Sequence, residues 1–200
     1  MIEHKINIIL TGFSGTGKSL VAKEVAQRLN WNFIDTDDEI VKQSGKPIVE
    51  IFQQDGEERF RQLERQMLEK ACQEEQTVIA IGGGAIVDPH NYELLAENGL
   101  IICLEAKPET IYQRLFHETA YEAEPEVRPL LADNKPLERI SQLKSSRQPY
   151  YAKADWTIHT DNLTVSEVAE EVMRAWELLR GVYPERDSLV ASLPQNDRER

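Results

Sequence analysis

The sequence predicts a parallel α/β sandwich, and two observations carry that prediction. Five short apolar runs alternate with longer amphipathic stretches, and four of the five are nearly unbroken by polar residues. Strands buried on both faces of a parallel sheet read this way, whereas strands with one wet face alternate. The repeated order of strand, helix, strand then places helices over both faces of the sheet. At 200 residues the chain is long enough for one domain with a sizeable core and too short for two ordinary ones.

The first run is "INIIL", Ile6 to Leu10, and a helix follows from Gly17 to Leu29, with Leu20, Val21, Val25, Ala26 and Leu29 at helical spacing. "NFIDTD", Asn32 to Asp37, is the second strand, and Asp37 or Asp38 is placed to cap a helix over "DEIVKQSG". Glu57 to Cys72 is an amphipathic helix carrying Phe60, Leu63, Met67, Leu68 and Ala71. "TVIAI", Thr77 to Ile81, and "LIICLEA", Leu100 to Ala106, are the third and fourth strands, and "DWTIHT", Asp155 to Thr160, is the fifth. Thr164 and Glu167 fit a capping box for the last helix, with Gly181 as its stop. The polar, acid-rich stretch from Phe116 to Pro136 has three prolines and reads as a long lid-like loop. In "SSRQPYY", Arg147 stands just ahead of a proline, where a helix is expected to end. Residues 1–180 form the domain, with the lid at about 116–136, and residues 181–200 form a polar, loosely ordered tail.

The net charge of −12 argues against a nucleic-acid groove, which needs a basic stripe. It also means that an anionic substrate must be met by a local cluster of cations. No apolar run reaches the length of a membrane span, and the N-terminus lacks the pattern of a signal peptide. The two cysteines, Cys72 and Cys103, read as reduced thiols in or near the core of a cytoplasmic protein.

"GFSGTGKS", Gly12 to Ser19, matches the phosphate-binding pattern G-x-x-x-x-G-K-[ST], directly after a strand and opening a helix. The glycines let backbone N–H groups turn inward around a phosphate, and the helix start adds unpaired donors. Lys18 can bridge the β and γ phosphates, and Ser19 supplies a hydroxyl to Mg²⁺. A nucleoside triphosphate is therefore the expected ligand. The N-K-x-D run that reads guanine is absent, so a kinase of a small metabolite is the natural inference.

The acceptor must be read elsewhere. Asp35 and Asp37 lie at the carboxyl end of the second strand, where ligands bind in parallel sheets. One carboxylate can face Mg²⁺ while the next reaches a substrate hydroxyl. Arg59, Arg61, Arg65, Arg128 and Arg147 are candidates for phosphate or carboxylate, and pattern alone does not choose among them. The triplet Gly82, Gly83 and Gly84 ends the third strand with bare backbone, which suggests that something comes very close there.

Taken in order, "GFSGTGKS", "DTD", "DGEERFR", "GGGA", "RPLL" and "RQPYY" resemble the shikimate kinase family, over Ile6 to about Arg180. The resemblance implies a nucleoside-monophosphate-kinase-like fold with a five-stranded parallel sheet in the order 2-3-1-4-5. It implies transfer of the γ-phosphoryl group of ATP to the 3-hydroxyl of shikimate, on the way to chorismate and the aromatic amino acids. Carried over by motif, Gly15, Thr16, Gly17, Lys18, Ser19 and Leu20 would cradle the ATP phosphates, with Ser19 on Mg²⁺ and Asp35 near the metal through water. Lys18, Asp37 and Arg128 would be the catalytic residues. Asp37 would orient or deprotonate the attacking hydroxyl, and Arg61 and Arg147 would hold the carboxylate. Gly82, Gly83 and Gly84 would wall the acceptor, where a Cβ on Gly83 would collide with the ring. Arg128 would reach ATP from the lid, and Arg114 would lie near the adenine. Leu20 stands where many members of the family have threonine, and the lid segment is longer and more acidic than theirs. The partners implied are ATP and shikimate, with no nucleic acid and no membrane, for a monomer in the cytoplasm.

Two alternatives are weighed. One is another P-loop metabolite kinase of the gluconate type; a neutral sugar does not need two carboxylate clamps. The other is a non-catalytic binding module of kinase descent, which should have lost Lys18, Ser19 or Asp37; all three are present.

Overall fold

The fold is seen in a computed structural model that describes residues 7–116 and 135–180. Five strands, β1 (Asn7–Thr11), β2 (Asn32–Asp35), β3 (Thr77–Ala80), β4 (Gly99–Glu105) and β5 (Trp156–His159), form one sheet in the order β2-β3-β1-β4-β5. Every neighbouring pair is parallel. The five-stranded parallel sandwich in the expected order is therefore observed. The central strands β1 and β3 are buried throughout, and the edge strands β2 and β5 are partly exposed.

Alternating residues of β1 feed two separate cores. Ile8 and Leu10 join Val21, Val25, Val172 and Trp176 on one side of the sheet, from α1 (Lys18–Leu29) and α8 (Val165–Arg180). Ile9 joins Leu68, Leu95, Ile111 and Ile140 on the other, from α4 (Gly56–Ala71), α5 (Pro89–Asn98), α6 (Pro108–Phe116) and α7 (Pro136–Tyr151). A third cluster, Ile40, Ile51, Phe60, Leu63 and Met67, ties α2 (Thr36–Ser44) and α3 (Ile48–Gln54) to α4. Cys72 and Cys103 are buried in the second core, where burial pushes their thiols up to about 11 and about 12. Both stay protonated at neutral pH. No helix among the described residues is long and apolar enough to cross a membrane.

The capping box at α8 forms as expected. The Thr164 N–H donates to the Glu167 carboxylate at 2.8 Å, and the Glu167 N–H returns a bond to the Thr164 hydroxyl at 3.3 Å. Three expectations are corrected. Asp35, not Asp37 or Asp38, caps α2, because its carboxylate accepts the N–H groups of both of them. Phe116 and Pro136 belong to α6 and α7 rather than to the long loop. Helix α7 does not end ahead of Pro149 but runs through it to Tyr151. Proline so near a helix end removes one backbone bond, and the last turn is held instead by Tyr151, only 1% exposed. The remaining residues of the lid, 117–134, and the tail, 181–200, lie outside the described residues, as do Ile6 and Gly181.

Candidate active site

The strands deliver the candidate residues to one edge of the sheet, at their carboxyl ends. β1 runs into the glycine-rich loop, and its turn must hug β4. A Cβ on Gly12 would stand 2.1 Å from the Leu104 carbonyl oxygen, and its φ of +132° is open only to glycine. The Thr16 hydroxyl donates back to the Phe13 carbonyl at 2.9 Å, fixing the loop from within. The Lys18 ammonium lies across it, donating to the carbonyls of Gly12 at 2.9 Å and Phe13 at 3.0 Å. Gly15, Gly17, Lys18, Ser19 and Leu20 share a cleft of about 190 Å³ with Asp35, Asp37, Asp38, Ile81 and Gly83. The loop and the acidic strand end, 17 residues apart in sequence from Lys18 to Asp35, are thus brought together.

Asp35 works on both sides of this cleft. One carboxylate oxygen accepts the Ser19 hydroxyl at 2.5 Å, and the other caps α2. That leaves Asp37 on the first turn of α2, turned towards the glycine triplet. A Cβ on Gly82 would meet an Asp37 carboxylate oxygen at 2.8 Å and a Glu64 carboxylate oxygen at 3.0 Å.

The same triplet gathers the cations. A Cβ on Gly84 would meet the Arg61 guanidinium at 3.0 Å and the Arg147 guanidinium at 3.3 Å. The three glycines therefore face different groups: Gly82 the carboxylates, Gly84 the two guanidiniums, and Gly83 the glycine-rich loop, with the Arg147 guanidinium at 3.7 Å. A Cβ on Gly83 would lie 3.1 Å from the Gly12 carbonyl oxygen and 3.4 Å from the Ser14 nitrogen. This changes what its substitution should do. Gly83→Ala would press on the glycine-rich loop, so it is expected to weaken ATP as well as the acceptor. Gly84→Ala pushes only on guanidinium tips, and it should raise the acceptor KM by about tenfold with ATP KM unchanged, the equivalent of one charged hydrogen bond. Steady-state kinetics on the two variants checks both; an acceptor-only effect for Gly83→Ala would reject this division.

Sequence reasoning missed Glu64. It is 1% exposed, and one of its oxygens accepts from Arg61 at 2.8 Å. Burial pushes its carboxyl above the usual carboxylate range, against the opposing charges of Arg61 and Arg147. Its second oxygen is buried without a hydrogen-bond partner among the described residues. The signal was available: positions 60, 63, 64, 67, 68 and 71 form the buried stripe of α4, and Glu64 is its one charged member. Arg61 is further held by Glu57 at 3.1 Å. Among the described residues, Arg59 donates to Gln62 at 3.3 Å and Arg65 lies 3.8 Å from Asp88.

Arg114 lies on α6, next to a residue that packs on the glycine-rich loop. Its neighbour Leu115 would touch a Cβ on Gly15 at 2.9 Å, and its guanidinium donates to the Thr160 hydroxyl at 2.9 Å and carbonyl at 2.6 Å. The segment after β5 therefore meets α6 through Thr160. Arg128 lies outside the described residues.

A family model described as shikimate kinase matches residues 14–177. A shikimate kinase of Caldanaerobacter subterraneus subsp. tengcongensis is 46% identical over 175 residues, covering 88% of this chain and 98% of the relative. A solved shikimate kinase of Acinetobacter baumannii, in complex with shikimate, aligns with a TM-score of 0.79 and 32% identity, over 86% of this chain and 93% of that one. A gluconokinase of Sinorhizobium meliloti aligns with a TM-score of 0.59 at 14% identity, over 90% of this chain and 97% of its own, and shares the fold.

Proposed function

The chain belongs to the shikimate kinase family and is a kinase enzyme, and from that premise we propose that it transfers the γ-phosphoryl group of ATP to the 3-hydroxyl of shikimate. The observation that carries the assignment is the division of labour along Gly82 to Gly84. Carboxylates converge at one end, guanidiniums at the other, and the phosphate loop stands beside the middle residue. A compact acceptor with a carboxylate at one end and hydroxyls at the other fits that spacing. Two guanidinium forks suit a planar carboxylate, and Asp37 suits a hydroxyl.

In this reading Lys18 leaves its loop carbonyls to reach the β and γ phosphates, and Gly15 to Leu20 wrap them. Ser19 and Asp35 present adjacent hard oxygens, which fit Mg²⁺ bound mainly by phosphate and water. When bound, Mg²⁺ would neutralise charge on the phosphates. Asp37 orients the acceptor hydroxyl and takes its proton as the oxygen attacks the γ phosphorus and the bond to the β-phosphate oxygen breaks. Arg61 and Arg147 hold the acceptor carboxylate. Arg114 lies beside the adenine, and Arg128 stabilises the transferring phosphoryl group from the lid. The enzyme acts as a cytoplasmic monomer.

The paired arginines argue against a neutral sugar. They do not by themselves separate shikimate from gluconate, which also carries a carboxylate. Between the two solved structures the identity, 32% against 14%, favours shikimate. A coupled ADP assay with Mg·ATP and shikimate, quinate or gluconate tests the choice. ADP release is expected with shikimate, and release with gluconate alone would refute it.

A further inference from the structure

The Tyr151 side chain is one of the largest in the buried core, yet its hydroxyl points at the acceptor site. It donates to the Gly83 carbonyl at 2.7 Å. Arg147 lies one turn earlier on the same face of α7, and its guanidinium reaches the same glycines: a Cβ on Gly83 would meet it at 3.7 Å and a Cβ on Gly84 at 3.3 Å. Burial pushes the phenol far above its usual range, with the Arg147 charge opposing, so the hydroxyl keeps its proton and remains a donor. On its other side the Arg147 guanidinium sits 5.7 Å from the centre of the Phe13 ring. No described peptide is cis, so a carbonyl and the next N–H point in opposite directions. Holding the Gly83 carbonyl towards Tyr151 therefore aims the Gly84 N–H away from it.

We propose that Tyr151 is a positioning residue for the acceptor carboxylate. Its hydroxyl ties the Arg147 guanidinium and the Gly83–Gly84 peptide into one preset unit. The proposal rests on the shikimate assignment above. It concerns a group set behind the site: its one proton is committed to the Gly83 carbonyl and its oxygen faces the Arg147 charge, so it acts through them. It also explains why α7 continues past Pro149. The turn beyond the proline is needed to bring Tyr151 under the glycines.

Tyr151→Phe keeps the ring in its slot and deletes only the hydroxyl. It is expected to raise the shikimate KM by about tenfold, with kcat and ATP KM within about twofold. Methyl shikimate lacks the carboxylate charge, so its kcat/KM should differ by less than about twofold between the two proteins. A general loosening of the core would not spare the ester, nor would it spare ATP. An unshifted shikimate KM, a penalty that persists with the ester, or a parallel rise in ATP KM would each overturn the proposal. If the unaltered protein releases no ADP with shikimate, the acceptor assignment falls and takes this proposal with it. If it does release ADP and the Phe variant is unshifted, only the role of Tyr151 falls.

Discussion

Asp37→Asn is expected to lower kcat by about 10²- to 10⁴-fold, the span of a lost general base, while ATP binding stays within about twofold of the unaltered protein. The substitution keeps size and one acceptor oxygen but removes the charge that takes the hydroxyl proton. Whether it is a clean test depends on helix capping. Had Asp37 capped α2, the change would have mixed a structural loss with a chemical one. Asp35 does the capping, and Asp35 also holds Ser19, so the cap and the Ser19 contact are left intact. Asp35→Asn is the contrasting variant and should disturb both the cap and the Mg·ATP side. Single-turnover phosphoryl transfer for Asp37→Asn, paired with calorimetric titration of ATP, separates the two roles. Turnover retained within tenfold would remove Asp37 from the chemistry.

Much of the fold was legible because a parallel sheet buried on both faces leaves unbroken apolar runs, and β1, β3 and β4 are such strands. The strand order came from the family resemblance, since periodicity does not order strands. The phosphate loop was legible because its chemistry is local, held within eight residues. The proposed acceptor site was only half legible because its geometry is not local. Arg61 and Arg147 lie 86 positions apart, and only the fold brings them to Gly84. Glu64 was hidden among helix charges that mostly face water, although its place on the buried stripe marked it. Helix α7 defied the usual proline rule because tertiary anchoring through Tyr151 outweighed a local preference. The triplet was recognised as a place of close approach. What approaches Gly83, the backbone of the phosphate loop, could not be read from neighbours in sequence.

Arg61→Ala is expected to act twice, on the acceptor and on the fold. One of two guanidinium forks disappears, so the shikimate KM should rise by about 10²-fold while ATP KM holds. The second effect comes from Glu64, which loses its 2.8 Å partner while 2% exposed at the side chain. Removing one member of a buried pair strands the other, at a cost of order 3 kcal/mol. The sign with pH follows from the direction of the Glu64 shift. Its folded carboxyl already sits above the usual range, and without Arg61 it rises further. The folded state then keeps a proton that the unfolded chain has released, so stability falls as pH rises from the ordinary carboxylate range to the folded pKa. Arg61→Ala should accordingly lose more stability at pH 8 than at pH 5, relative to the unaltered protein. Glu64→Gln added to it should flatten that difference, because an amide has no proton to release. Urea denaturation at the two pH values, on all three proteins, gives the comparison. An equal loss at pH 5 and pH 8 would mean that Arg61 does not hold the Glu64 charge, and an unchanged shikimate KM would take it out of the carboxylate clamp.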